Sequence, residues 1–326
     1  MAILTASAFV PGSTCIPSED VDREFGMPAG KLLRRAGIVS LARAAAHETE
    51  VTLGAKAAAQ ALSAAGCGAP DLDWIIATSE TQQGFPSLGA QLHSLLLARE
   101  TCGVLDIGGA CLGVLNAFAA ACGFLAAGQA RCILVVSADV HSRTLSPGRV
   151  AGEFGGLFGD GASAFLLQSS PSGENPYRLG EFHFGCAGQY AAAIRVTPSD
   201  SGALEVQFDG EALSRAAVSR LEKVLREVEL RSGFSLSEAA AFATHQPNPR
   251  LVELLARQLG VQAERFPPIA KTSGNLGSTT CAAALHAALL EQASLPLASR
   301  KPIFLASLGP GLLFGGGWVE PSRREE

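Results

Sequence analysis

Three residues stand in settings that suit thiol chemistry: Cys111, His245 and Asn275. Cys111 follows Ile107-Gly-Gly-Ala and opens a run of small apolar residues, ending at Gly128, that reads as a long helix. A cysteine in the first turn of a helix meets the positive end of the backbone dipole and unpaired amides. Both favour the thiolate, which is the nucleophilic form. Gly108, Gly109 and Gly113 let other backbone approach and leave amides for an oxyanion. Taken alone, the same pattern also describes a cysteine packing as a small hydrophobe. His245 ends the apolar run Ala241-Phe-Ala-Thr244 and begins His-Gln-Pro-Asn-Pro-Arg250. The two prolines forbid an immediate helix and put the imidazole on a loop at a strand end. Strand ends of that kind are where parallel α/β sheets bind ligands. Asn275, in Ser273-Gly-Asn-Leu-Gly, fits an ordinary turn equally well on its own. The other histidines, His47, His93, His141, His183 and His286, read as satisfied core or surface residues.

The elements that must hold these residues come in a repeated order. In the first half an Ala-rich helix over Ala57–Ala65 precedes the strand Trp74–Thr78, then a polar turn and a helix near Leu88–Leu97. The strand Gly103–Asp106, the Cys111 turn, its helix and the strand Cys132–Ser137 follow, and Phe158-Gly-Asp-Gly-Ala leads into another apolar run. In the second half an amphipathic helix over Leu213–Val228 precedes the strand Ala241–Thr244 and a helix over Arg250–Leu259. The Asn275 turn, a small-residue helix over Thr280–Glu291 and the strand Pro302–Ala306 complete it. Apolar runs of this length between helical patterns indicate buried strands with helical crossovers. Cys111 and Asn275 occupy equivalent points, and Ala77-Thr78 matches Ala243-Thr244. An internal duplication accounts for this, with residues 1–170 and 171–326 as halves that pack as one body and meet near Ser169-Ser-Pro-Ser-Gly-Glu-Asn-Pro.

Composition narrows the class. The 326 residues can bury a substantial core, and 48% hydrophobic content with 17% charged excludes a disordered chain. The net charge of −5, spread without a long basic run, argues against a nucleic-acid partner. The amino-terminal MAILTASAFVPGST has no basic segment ahead of its apolar residues, so a secretory signal is not expected. Cys111–Ala127 falls about one turn short of a membrane span and contains Asn116. These features predict a cytoplasmic chain with no membrane partner, whose eight cysteines stay as thiols. No CxxC pair or close Cys/His spacing suggests a structural metal.

Asp106-Ile-Gly-Gly-Ala-Cys-Leu-Gly, Phe158-Gly-Asp-Gly-Ala, His245-Gln-Pro-Asn, Gly274-Asn275 and a glycine-rich terminus occur in a telling order. With Ala77-Thr78 and Phe85-Pro-Ser, they follow the order and approximate spacing of ketoacyl-ACP synthase III, of the thiolase superfamily. The chain resembles that family along nearly its whole length. The resemblance implies an α/β fold, the duplicated five-layered αβαβα thiolase-type sandwich, as a homodimer with a Cys111, His245 and Asn275 triad. It implies that Cys111 takes an acyl group from a thioester of CoA or carrier protein. Malonyl-ACP would then lose CO2, its enolate held by His245 and Asn275, and attack the acyl group to give a 3-oxoacyl-ACP. The Cys111 amide and an amide of the Gly309–Gly311 turn would form the oxyanion hole, although Pro310 has no N–H to offer. Arg35, Arg149, Asn248 and Arg250 fall where the family meets CoA or carrier protein, but the aromatic partner expected beside Arg35 is missing. Phe85 falls at the acyl pocket, where it could project across the dimer or simply pack in the core. No metal or redox cofactor is implied. A starter-unit enzyme of polyketide metabolism fits as well as fatty-acid initiation. Two other readings stay open: an acyltransferase serving a hydroxyl or amine, and a non-catalytic partner subunit, against which the complete triad argues.

Overall fold

The unbroken apolar run beginning at Cys132 becomes a strand, Cys132–Val140, in which every residue is buried. It can be apolar on both faces because the sheet around it is covered on both sides. Ile133 and Val135 face one core and Cys132, Leu134, Val136 and Ala138 face another, the two-residue alternation of a pleated strand. The computed structural model describes residues 1–150, 152–170, 176–198, 204–208 and 210–322.

Among the described residues the main sheet has ten strands. In chain order they are β1 (Ile3–Pro11), β2 (Trp74–Thr78), β3 (Gly103–Asp106), β4 (Cys132–Val140) and β5 (Asp160–Gln168). The remainder are β6 (Tyr177–Leu179), β7 (His183–Cys186), β8 (Ala241–Thr244), β9 (Ile303–Gly309) and β10 (Leu313–Pro321). Their order across the sheet is β8-β9-β10-β6-β1-β5-β4-β2-β3, with β7 paired to β10. β2 runs parallel to β3 and β4, and β4 antiparallel to β5. The second half repeats this: β8 runs parallel to β9, and β9 antiparallel to β10. The short β6 pairs with both β1 and β10, so one hydrogen-bonded sheet joins the halves. Of the segment Ser169–Pro176, where a boundary near residue 170 is expected, residues 171–175 lie outside the described residues.

Among the described residues six longer helices complete the layers: α1 (Glu50–Ala65), α2 (Leu88–Leu96), α3 (Gly113–Ala126), α4 (Gly210–Ser232), α5 (Pro249–Leu259) and α6 (Ser278–Ala293). Three cores define their order. The central core combines Phe118 and Leu125 of α3 and Leu285 and Leu289 of α6 with the inner faces of both half-sheets. A second core packs Leu53 and Leu62 of α1 and Leu92 of α2 on the outer face of the first half. A third packs Leu221 and Leu225 of α4 and Leu255 of α5 on the outer face of the second. This is the helix–sheet–helix–sheet–helix sandwich that the motifs implied. α6 is apolar or small nearly all round, buried without a break from Ser278 to Leu285, as a helix between two sheets must be. No helix among the described residues is long and apolar enough to cross a membrane.

The element boundaries differ from the sequence reading chiefly at helix starts. α1 begins at Glu50 because Thr49 and Thr52 form a reciprocal cap there, ahead of the Ala-rich stretch. Cys111 lies one step before its helix, in a short 3-10 turn over Ala110–Leu112, and α3 starts at Gly113.

Candidate active site

Four strand ends converge on one cavity of about 480 Å3, and each carries a residue that could do chemistry. Beyond β2 comes Glu80, beyond β4 His141, beyond β8 His245, and β9 ends at Gly309. The turns that precede α3 and α6 bring Cys111 and Asn275 to the same place. Deeper walls include Leu145, Phe154, Phe158 and Leu308, so polar groups gather at one end of a largely apolar space.

The cysteine turn is held from three sides. Gly109 and Ala110 both take positive φ, at 133° and 46°. The Ser307 hydroxyl of β9 donates to the Cys111 carbonyl at 2.6 Å. Gly113 packs so tightly on β2 that a Cβ there would come 2.1 Å from Thr78 Oγ1. Gly309 lies against the same turn, its Cβ direction 3.7 Å from the Cys111 nitrogen. Gly311 sits beyond Pro310 with φ of 85°, its carbonyl accepting from the Cys186 thiol at 3.5 Å.

His245 and Asn275 are 4% and 5% exposed. The His245 amide donates to the Ala306 carbonyl at 2.9 Å. The neighbouring Gln246 side chain clamps the loop by donating to Pro267 O and accepting from Ala270 N. Asn275 Oδ1 accepts from the Gly277 amide at 3.0 Å and the Thr280 hydroxyl at 3.4 Å. With the amide oxygen turned to the backbone, the nitrogen is the edge left for the cavity. The expected three residues therefore do come together.

The charge state differs from expectation. A helix start alone would acidify Cys111, but here burial and then the adjacent Glu80 carboxylate push its thiol well above the usual range, with Asp139 adding to this. The resting sulfur is a thiol, since the cost of a buried anion beside carboxylates exceeds what the helix dipole returns. Burial pushes His245 down to about 4, against the opposing pull of Glu80, so its ring is neutral.

Glu80 and His141 were not singled out by their sequence contexts. His141, read as a satisfied core or surface histidine, is 3% exposed and packs at a tilt of 33° on Phe158 with ring centres 4.7 Å apart. Its Nδ1 lies 3.2 Å from the Gly159 carbonyl, and its Nε2 3.6 Å from Glu80 Oε2. Although burial opposes its charge, Glu80, Asp139 and Asp160 raise it to about 9, so it is an imidazolium. Glu80 is partly buried, which works against its charge, yet His141, Cys111 and His245 hold its carboxyl below the usual range. A usable signal was present in the duplication: Thr78 matches Thr244, so Glu80 occupies the strand end related to that of His245.

The remaining expected residues stand apart from the chemistry. Phe85 is 99% exposed, so it does not line the pocket of its own chain. This excludes the alternative that it packs in the core, because the loop after β2 carries Glu80 inward and Phe85 outward. Asn248 caps α5, its Oδ1 accepting from Leu251 N at 2.9 Å, while lining the cavity mouth. Arg250 is exposed and pairs with Glu253 at 3.0 Å. Arg35 is exposed on the turn Leu32–Ala36, which abuts α5 where Gly37 meets Pro249. Arg149 is exposed, and its carbonyl accepts from Leu204 N at 3.0 Å. All eight cysteines are free.

Comparison with known proteins places this geometry. The family description 3-oxoacyl-(acyl-carrier-protein) synthase III matches residues 105–188, and its C-terminal counterpart matches residues 230–320. The β-ketoacyl-(acyl-carrier-protein) synthase III of Acidiphilium cryptum is 29% identical over 293 residues, covering 87% of this chain and 88% of the relative. The crystal structure of 3-oxoacyl-(acyl-carrier-protein) synthase III from Aquifex aeolicus shares the fold with a TM-score of 0.86 at 24% identity, covering 98% of this chain and all of that one. The priming β-ketosynthase of a polyketide biosynthetic pathway shares it with a TM-score of 0.88 at 23% identity, covering 99% and 97%. Matched over more than half its length and sharing one fold from end to end, the chain belongs to the 3-oxoacyl-(acyl-carrier-protein) synthase III family of acyltransferases.

Proposed function

We propose that this chain loads an acyl group from a thioester onto Cys111 and condenses it with malonyl-ACP, releasing CO2 and a 3-oxoacyl-ACP. The observation that carries this reading is the convergence of Cys111, His245 and Asn275 on one apolar-walled cavity. A sulfur nucleophile at the polar end can hold a thioester whose acyl chain lies along Leu145, Phe154 and Leu308. Attack by Cys111 puts negative charge on the thioester oxygen, and amides of the Cys111 turn and the end of β9 are the donors nearest to it. In the second step malonyl-ACP loses CO2. The neutral His245 and the Asn275 amide nitrogen are the donors that stabilise its enolate oxygen, and the carbanion then attacks the acyl-Cys111 carbonyl. Each step uses only the chain's own groups and the two thioesters, so no metal or redox cofactor is invoked. Arg35, Arg149, Asn248 and Arg250 are the residues assigned to CoA or carrier protein. The working form is a cytoplasmic homodimer in which the exposed Phe85 of each chain reaches the acyl pocket of its partner.

Intact-protein mass spectrometry after incubation with a series of acyl-CoA starters tests the loading step. An acyl adduct on Cys111, discharged by malonyl-ACP with one CO2 released per turnover, is the expected result. Discharge without CO2 release would replace condensation by simple acyl transfer. Absence of any adduct would leave the chain as a non-catalytic partner subunit.

A further inference from the structure

Glu80 and His141 form a second ionisable pair in the cavity that the condensation scheme leaves unused. Glu80 and the Cys111 thiol line the same cavity, where the carboxylate acts on the thiol, and Glu80 also pairs with His141. Its side chain is 17% exposed, that of His141 4%, and Glu80 Oε1 and His141 Nε2 are buried without a hydrogen-bond partner of good geometry. Buried polar atoms left open in this way are costly unless a ligand or a transferring proton uses them.

The pair is built in, not incidental. The Glu80 amide donates to Asp139 Oδ1 at 2.7 Å, and Ser79 Oγ accepts from the amides of Thr81 and Gln82 at 3.1 and 2.9 Å. Thr81 Oγ1 accepts from Val140 N at 2.8 Å and donates to Glu50 at 2.7 Å, which ties the loop to the end of β4 and to α1. Gly277 presses on the pair so closely that a Cβ there would lie 2.6 Å from Glu80 Oε1 and 2.8 Å from His141 Cε1. The same glycine donates to Asn275 Oδ1 and borders His245. One residue thus joins the pair to the groups assigned to condensation.

We propose that Glu80 is a further catalytic residue, which takes the proton of the Cys111 thiol as its sulfur attacks the donor thioester and gives it to the departing thiolate. His141 is a positioning residue that acts through Glu80, holding its carboxylate in place and ionised. The step balances. The Cys111 S–C bond forms as the donor's C–S bond breaks, the bonding electrons leave with the donor sulfur, and the proton passes from Cys111 through Glu80 to that sulfur. Glu80 ends as it began, a carboxylate. A thiol held protonated needs such a base, since little thiolate exists at rest. Seating the acyl thioester removes the water still reaching Glu80, which makes the carboxylate more basic when it is needed. The charged and titratable groups facing Glu80 are Cys111, Asp139, His141 and His245, and Asp160 acts on it through His141.

The proposal rests on the reading that Cys111 accepts an acyl group, and two measurements separate their failures. The first is the rate of acyl-Cys111 formation from acyl-CoA. The second is Cys111 alkylation by iodoacetamide across pH, which needs no substrate. Glu80→Gln removes the base and also the negative charge that suppresses the thiolate. Acyl loading is expected to fall by roughly 10²–10⁴-fold, while alkylation at neutral pH becomes faster and its midpoint moves to lower pH. Glu80→Asp is expected to recover part of the loading rate. His141→Leu is expected to move the acid limb of the loading profile to higher pH, because Glu80 then keeps its proton beside Asp139. Loading by Glu80→Gln within about threefold of the parent, with alkylation accelerated, would overturn the proposal: Glu80 would then only repel the thiolate. An unmoved alkylation midpoint overturns it as well. Parent protein that never acquires an acyl group, while its alkylation midpoint still responds to Glu80→Gln, defeats the condensation reading instead.

Discussion

Glu80 Oε2 lies 3.6 Å from His141 Nε2, closing an ion pair between the loop after β2 and the end of β4. The two strands are parallel neighbours, with Thr78 in register with Ser137, so their carboxyl ends deliver both side chains to the same side of the sheet. The pair places a fixed positive charge and a fixed negative charge in a cavity whose far walls are apolar.

That arrangement has a consequence for stability against pH. The His141 pKa is 6.5 in an unfolded chain and about 9 in the fold. Below pH 6.5 both states hold the proton and the stabilisation is complete. It is lost as pH rises from 6.5 through about 9, because the folded state then holds a proton that the unfolded state releases. Asp139, raised to about 6, acts in the same direction but at lower pH, and His245, lowered to about 4, acts in the opposite direction below 6.5. Urea denaturation of the parent and of His141→Leu at a series of pH values makes the comparison. Their stability difference should shrink between pH 6.5 and 9, and a constant difference would contradict the assignment.

Asn275→Ala should separate the two half-reactions. Asn275 lines the cavity with its amide oxygen bonded to the Gly277 amide, which leaves the nitrogen to donate, so the change removes a donor for the enolate. Condensation is expected to slow by about 10²–10³-fold, the usual cost of one such donor, while acyl-Cys111 still forms. Single-turnover loading and CO2 release, measured on the same sample, give the comparison. Equal losses in both steps would place Asn275 in the loading chemistry.

Gly113→Ala sets two effects of opposite sign against each other. Alanine favours a helix over glycine by about 1 kcal/mol, but the new Cβ would lie 2.1 Å from Thr78 Oγ1. Overpacking of this kind costs about 1–3 kcal/mol, and the clash is with a strand side chain in the core. The expected outcome is a net loss of stability in chemical denaturation, with slower acyl loading because the Cys111 turn is displaced. A gain in stability would show that the turn can move away freely.

Phe85→Ala tests the proposed dimer. The side chain is 99% exposed in the single chain, so nothing within that chain explains an aromatic residue there. Loss of a buried aromatic anchor is expected to weaken association by roughly tenfold or more in sedimentation experiments, and to change which acyl-CoA loads best. An unchanged association constant and acyl preference would leave Phe85 outside both the interface and the pocket.

Much of this molecule is written in short-range pattern. The run from Cys132 reads as a buried strand because every residue is apolar or small, and Thr78 and Thr244 mark matching strand ends. The positions of Cys111 and Asn275 before small-residue helices follow from the same repetition. What those patterns leave out is who faces whom. Glu80 and His141 look like ordinary loop residues until β2 and β4 lie side by side, and Phe85 could be a core residue until the loop turns it outward. The protonation of Cys111 was equally hidden, since a helix start favours the thiolate. The sequence by itself determined the alternation of strands and helices and the strand ends that bear the site, because periodicity and turn chemistry act over a few residues, while the layered sandwich and the triad followed from the resemblance of its motifs to a known family. Only the tertiary structure decided the charges at that site, because burial and the approach of a distant carboxylate outweigh the local field of one helix end.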